Sequence, residues 1–384
     1  MNAWTPQVFA PYPGHPDVLL ARVAARSAAF EGTSAADGDR VIVGSAAGHD
    51  REQVMRGARG ELLERIGNVM AGRAAEAGGG VVATPAELGV TAQAVSAPPA
   101  RPDSRRLWVR GRTVSGRPVY VAAGSVFLQH RPPPGCEALP PAGSTGLASH
   151  TDRRSAARHA AWEVLERDLI RRSWYGLAGR PPRALAAAPD GPLGDLFEAQ
   201  GLVATAFALP APPGAECVIV CLHRPDGTGQ TFGARCGPPD TLESLVGKAA
   251  YEALMVRWSM GSVVARATWE RWRGDGPPRT AVQHALWAYH RQDSLSLWKV
   301  AGSGATSVAT APVHKAASPV DPLDVLARHT GRDVVLVETD GTPARDAGVS
   351  VVRVLAPGAL PLPSGPHPTG FEPDFGHAHP HPFG

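Results

Sequence analysis

The sequence predicts an α+β fold. Short runs of apolar and β-branched residues, bounded by Gly, Pro and Ser, recur along the chain and read as strands. Between them lie long stretches with helical spacing, each opening on a glycine-rich loop followed by Asp or Thr. Glycine (43) and proline (38) make up about a fifth of the 384 residues, which enforces many turns and short elements.

Taken in order, residues 44–65 (GSAAGHDREQVMRGARGELLER) give a glycine-rich loop, Asp50, and a helix ending in Glu61-Leu-Leu-Glu64-Arg65. Residues 72–104 are rich in Ala, Gly and Pro and read as a connector holding a short helix. Residues 106–130 alternate as two or three strands, with a turn at Ser115-Gly116. The prolines of 130–143 suit a loop. Residues 143–168 (GSTGLASHTDRRSAARHAAWEVLERD) repeat the first pattern with Asp152, Glu163, Glu166 and Arg167. Strands are expected at 201–207, 216–223 and 230–235. The last leads into a third copy, 232–257, with Thr241, Glu252 and Arg257. A strand pair is expected at 333–338 and 349–355. From Pro357 the chain is rich in Pro, Gly and His without periodicity, so a tail of 357–384 is set apart from a body of 1–356.

Hydrophobic residues at 43% and charged residues at 19% indicate a globular chain. A net charge of +3 is too near balance to favour nucleic acid or an anionic membrane. Basic residues are nearly all Arg, with lysine only at Lys248, Lys299 and Lys315. The N-terminus has no charged segment followed by an apolar run, and no apolar run reaches a membrane span of about 18 residues. Cys136, Cys217, Cys221 and Cys236 form no CxxC pair, so a reduced, cytoplasmic protein is expected. Neither a P-loop nor GxGxxG nor GxSxG occurs.

In all three copies the Asp or Thr precedes the first Glu by eleven residues, about three helical turns. Asp50, Asp152 and Thr241 then read as N-caps. Residues three apart on a helix share a face, so Glu61 with Glu64 and Glu163 with Glu166 form carboxylate pairs. The small residues one and two turns earlier, Gly57, Ala58, Ala156 and Ala160, admit something close to each helix. A single Glu-x-x-Glu-Arg is ordinarily a solvated face with an ion pair. Repetition at a matched offset points instead to loop–helix units around one site. Like charges at ~5 Å repel by roughly 3 kcal/mol at an effective dielectric of about 20, so convergent carboxylates need cations or raised pKa values. Oxygen-only ligands suit Mg²⁺ bound with substrate phosphates. Arg65, Arg167 and Arg257 would then neutralise phosphate oxygens.

Other features have plainer readings. His377, His379 and His381 read as a solvated tail, Cys217 and Cys221 as core on one face of a strand, and Trp162, Trp174 and Trp258 as core.

These segments resemble the YcaO superfamily, in particular the azoline-forming cyclodehydratases of ribosomally made peptides (thiazole/oxazole-modified microcin type). The resemblance is strongest in 143–168, continues in 48–65, Glu252 and Arg257 and 353–361, and ends in the proline-rich HPHPFG. It implies mixed sheets with helices around a central ATP/Mg cleft, formed by a YcaO domain over 1–356. Glu61, Glu64, Glu163 and Glu166 would hold Mg²⁺. Arg65, Ala148, Thr151, Ser155, Arg167, Glu252 and Arg257 would line the ATP pocket. Pro380, Pro382 and Gly384 would lie at the catalytic mouth. The implied partners are a precursor peptide and a leader-binding protein of E1-like or ThiF-like type; a homodimer is left open. The implied reaction turns Cys, Ser or Thr of the peptide into azolines. Gly57, Thr151, Ser155, Met255 and Gly384 depart from the family's usual Ser, Asn, Glu, Gln and Pro. Those departures leave room for a non-catalytic YcaO-fold scaffold, and the superfamily also includes thioamide- and amidine-forming enzymes.

Overall fold

The computed structural model describes residues 4–31, 40–89, 103–140, 142–186, 189, 191–239, 241–273, 275–291, 293–302, 320–362 and 380–383. The elements are β1 (Gln7–Phe9), β2 (Leu19–Arg26), β3 (Val41–Gly48), α1 (Arg51–Ala74), β4 (Val81–Ala83), α2 (Pro85–Leu88), β5 (Arg106–Thr113), β6 (Pro118–Ala122), α3 (Ala123–Val126), β7 (Leu147–His150) and α4 (Arg153–Trp174). They continue with β8 (Arg183–Leu185), α5 (Pro192–Ala199), β9 (Val203–Ala208), β10 (Glu216–His223), β11 (Thr231–Gly237), α6 (Leu242–Met260), α7 (Val263–Trp272), α8 (Ala281–Arg291), α9 (Ser294–Gly302), α10 (Pro322–Thr330), β12 (Val335–Glu338), α11 (Thr342–Asp346) and β13 (Ser350–Leu355).

Among the described residues the strands form three antiparallel sheets. One runs β1-β2-β3, one β11-β10-β9-β8, and one β4-β5-β12-β13-β7 with β6 on β5. The α+β class is as the sequence predicts. The 106–130 segment gives the β5–β6 hairpin across Ser115-Gly116, and its last stretch is the short α3 rather than a third strand.

The first glycine-rich stretch, expected to be a loop, is a strand, whereas the second keeps its glycines in a turn that leads into one. Residues 41–48 form β3, paired along its length with β2, and 147–150 form β7, paired with β13. Glycine there serves a close approach of backbones. A Cβ on Gly44 would collide with the Ala58 carbonyl of α1, and one on Gly233 with the Ala249 carbonyl of α6. The small residues of α1 therefore receive strand backbone, not ligand: Ala58 is fully buried under the first sheet. Ala156 and Ala160 are likewise buried core.

Strand β10 (ECVIVCLH) is buried on both faces, and its two-residue period divides it between two cores. Cys217, Ile219 and Cys221 pack towards α4, while Val218, Val220 and Leu222 pack towards α6. Fully burying such side chains contributes about 1.5–3 kcal/mol each. Cys217 and Cys221 are free core thiols as expected, and Cys236 is the register partner of Cys217.

The units β3–α1, β7–α4 and β11–α6 close on one another. Helix α1 lies on β3 and reaches β7, α4 lies on β7 and reaches β11, and α6 lies on β11 and reaches β3. The Ser149 hydroxyl of β7 donates to the Gly60 carbonyl of α1 at 2.9 Å across one such seam. The end of the chain is packed: Phe383 is 3% exposed against Phe232 of β11, and His381 stacks on His284 of α8 with ring centroids 3.9 Å apart. His377, His379 and Gly384 lie outside the described residues. No helix among the described residues is long and apolar enough to cross a membrane.

Candidate functional site

Two of the expected N-caps set the long helices. Asp50 accepts from the Gln53 N–H and Asp152 from the Ser155 N–H. Thr241 occupies the N-cap of α6, but its hydroxyl donates to the Pro238 carbonyl and caps nothing. Three turns on, the same relation recurs in each unit. A helix carboxylate accepts a backbone N–H from the segment leading into its own helix: Glu61 from Ser45 of β3, Glu163 from Gly146 in the turn before β7 at 3.0 Å, and Glu252 from Ala234 of β11 at 3.4 Å.

These interactions turn the carboxylates towards one region. Burial pushes the Glu64 carboxyl well above its ordinary value, and the negative charges of Glu163 and Glu61 push it further. Glu64 has no hydrogen-bond or ion-pair partner among the described residues. Burial also raises Glu163, against the opposing pull of Arg167 and the Gly146 N–H. Glu166, 4% exposed, is pushed up to about 7 by burial, with Arg167 and Arg235 opposing and Glu252 and Glu163 adding to the rise. Glu61, Glu64, Glu163, Glu166 and Glu252 thus form one chain of electrostatic neighbours.

Arginines stand among them. Arg65 pairs with Glu61. Arg167 lies 3.7 Å from Glu166; burial works against its charge, but Glu166, Glu252 and Glu163 outweigh it and hold the guanidinium above its usual value. Two further arginines escaped sequence reasoning. Arg235 of β11 pairs with Glu252 at 2.7 Å, and Arg353 of β13 is 3% exposed. Burial draws Arg353 down to about 10, while Glu163 and Glu64 oppose the fall. Arg353 begins the 353–361 segment, and Arg235 sits inside the third copy, so both signals were present without a pattern to single them out.

A cavity of about 560 Å³ opens between α4, β11 and α6. Glu163, Glu166, Arg167 and Arg235 line its wall, with Trp162, His159, Thr241, Ser244 and Lys248 around them. Trp162, expected to be core, is half-buried and forms part of this wall; Trp174 is core as expected. Burial, then His150 and Lys248, lower the His159 imidazole.

The remaining residues singled out in the sequence lie elsewhere. Ala148 is buried in β7 opposite Val352. His150 ends β7 instead of lying in a loop, and its ring meets the Thr151 hydroxyl at 3.1 Å. Ser155 lies in the first turn of α4, and neither it, Thr151 nor Ala148 lines the cavity. Arg257 turns away from the carboxylates: it donates to the Gly229 carbonyl and lies 6.0 Å from the Tyr289 ring centroid. Pro380 is half-buried and Pro382 buried beside Phe383.

The clustered carboxylates themselves offer only oxygen ligands. Among the described residues, no group of three Asp, Glu, His or Cys side chains converges tightly enough to hold a metal ion alone. Paired carboxylates that leave the other positions to a ligand fit Mg²⁺, which binds through one or two carboxylates plus substrate phosphates.

No curated protein sequence matches the chain. Among solved structures, it resembles "YcaO from Methanopyrus kandleri bound with AMPPCP and Mg2+" at 19% identity and a TM-score of 0.62, covering 92% of this chain and 85% of that one. It resembles the E. coli microcin synthetase McbBCD complex with pro-MccB17 bound at 15% identity and a TM-score of 0.65, covering 96% and 94%. A heterocyclase in complex with substrate and cofactor gives 16% identity and a TM-score of 0.68 over 94% of this chain, which spans 50% of that one. These likenesses are of fold. The family model described as YcaO cyclodehydratase, ATP- and Mg²⁺-binding, matches residues 43–360, and the chain belongs to that family.

Proposed function

We propose that the chain is an ATP- and Mg²⁺-dependent cyclodehydratase subunit that converts Cys, Ser or Thr of a ribosomal precursor peptide into azolines. The observation that carries this reading is the electrostatic convergence of Glu61, Glu64, Glu163 and Glu166 beside a lined cavity. When bound, ATP with Mg²⁺ supplies an electrophilic phosphoryl group that makes a poor leaving group, an amide oxygen, into a good one.

The chain's own residues position and neutralise. Glu61 with Glu64, and Glu163 with Glu166, would hold the divalent ions, whose charge would offset the burial that raises Glu64, Glu163 and Glu166. Arg167, 3.7 Å from Glu166, would add positive charge where phosphate charge develops. Glu252 keeps the third unit's polar edge in place through Ala234 and Arg235. Phe383, packed on Phe232 of β11, holds the buried Pro382 beside it, which supports a tail that shelters the reacting peptide.

The precursor peptide is the proposed substrate, and a separate leader-binding protein its proposed carrier. Thr151, Ser155, Gly57 and Met255, which depart from the family's usual residues, favour one second reading, a non-catalytic scaffold of the same fold. Calorimetric titration with ATP and Mg²⁺ separates the two, because the scaffold binds no nucleotide. The enzymatic reading is tested with Glu64→Ala and Glu166→Ala. ATP turnover and the peptide's loss of about one water per ring should both collapse; turnover and mass loss at wild-type levels would refute the metal assignment.

A further inference from the structure

Four arginines surround the carboxylates, and they differ in how their donors are used. Arg65 gives Nη1 to the Val43 carbonyl and Nη2 to Glu61. Arg353 gives Nη1 to the Thr145 carbonyl and Nη2 to that of Gly143. Arg167 makes no hydrogen bond among the described residues; it lies 3.7 Å from Glu166, and its side chain is only 15% exposed. Arg235 spends only Nη1, on Glu252 at 2.7 Å and on the Ala234 carbonyl at 3.0 Å. Its Nε and Nη2 have no hydrogen-bond partner among the described residues. Its side chain is 41% exposed, and it lines the cavity beside Glu163 and Glu166.

This is the arrangement of a pre-set anion receptor. Glu252 fixes the guanidinium, so little freedom is lost when a ligand arrives. The Nε–H and Nη2–H edge is the side of the fork that matches two phosphate oxygens. The carboxylates of this wall repel a polyphosphate, and Arg235, with Arg167 and Lys248 on the same wall, offsets them; of the two arginines it is the one whose side chain is more open to a ligand.

Resting on the ATP and Mg²⁺ reading above, we propose that Arg235 binds the nucleotide's phosphate chain, its Nε–H and Nη2–H donating to oxygens that the divalent ions leave uncovered. The third unit thereby contributes its phosphate contact from the strand, since Arg257 on its helix is turned to Gly229 and Tyr289.

The test is calorimetric titration of the purified full chain with ATP and with adenosine in excess MgCl₂, for wild type, Arg235→Gln, Arg235→Lys and the double variant Arg235→Gln/Glu252→Gln. Arg235→Gln should weaken ATP about 10- to 100-fold, the worth of a charge-assisted pair of bonds, and leave adenosine unchanged. Arg235→Lys should recover part of the loss. The double variant should stay as weak as Arg235→Gln, because removing the unbalanced carboxylate restores no donor. Unchanged ATP affinity, an equal loss for adenosine, or recovery in the double variant would each overturn the proposal. A wild-type chain that binds no ATP would overturn the functional reading itself, and this one with it.

Discussion

The backbone N–H of Cys236 donates to the Glu166 carboxylate at 3.0 Å, joining strand β11 of one unit to helix α4 of another. Glu166 is therefore oriented by a strand that belongs to its neighbour. The acidic centre is made at the seams between units, where each helix meets the next strand.

The raised carboxylates give the first prediction. Glu64, Glu163 and Glu166 all have folded-state pKa values above the ordinary 4.5, that of Glu166 at about 7. Their contribution is fully present below the unfolded value and is lost as pH rises through the folded one. Metal-free protein should lose stability between about pH 5 and pH 8. Mg²⁺ should raise the melting temperature more at pH 8 than at pH 5.5, because at the lower pH it competes with protons. Thermal melts with and without Mg²⁺ at the two values check this, and equal shifts would contradict it.

Asp168 behaves in the opposite sense. It is fully buried and accepts from Arg172 at 2.7 Å, His329 at 2.6 Å and the Leu360 N–H at 2.7 Å, tying α4 to α10 and to the segment after β13. Burial alone would raise its carboxyl, but those bonds outweigh it and hold the pKa below the ordinary value. Its stabilisation is present above the unfolded value of 3.8 and disappears as pH falls further. Asp168→Ala should cost about 3–5 kcal/mol in urea unfolding at pH 7, since it leaves buried donors unpaired. A cost under about 1 kcal/mol would show that water replaces the carboxylate.

The glycine seats predict a contrast. Gly233→Ala and Gly44→Ala place a methyl group against helix backbone and should destabilise by about 2–4 kcal/mol. Gly247→Ala, in α6 with nothing within 4 Å of the added carbon, should stabilise by up to about 1 kcal/mol. Equilibrium denaturation of the three variants decides it; equal effects would refute the close packing.

Phe383 predicts how the chain's end behaves. Its ring is buried against Phe232, so Phe383→Ala should free the last residues. Carboxypeptidase should then trim the variant faster than the wild type, as read by intact mass. Identical trimming would mean that the His381–His284 stack holds the end without the ring.

Much of the site was legible because helical spacing is regular. Asp50 and Asp152 cap as their positions imply, and the Glu pairs share faces as a spacing of three demands. Strand β3 was not legible, because Gly44 carries loop chemistry in sequence while serving backbone contact in space, and the four residues of β7 follow directly on the turn that Gly146 makes at positive φ. Arg235 and Arg353 could not be found from spacing, since pairing across sheets, and not periodicity, brings them to the carboxylates. Thr241 matched the cap pattern, yet its hydroxyl turned to Pro238. A hydroxyl donates where a carboxylate only accepts, and that difference decides the geometry.

The mutual leaning of the three strand–helix units has a consequence for how the chain tolerates injury. None of them is an outer repeat that can be shed to leave an intact remainder. A nick between units leaves both ends gripped by neighbours, whereas excising a whole unit unseats carboxylates on either side of the gap. Resilience to cleavage and intolerance of deletion follow from the same circular topology.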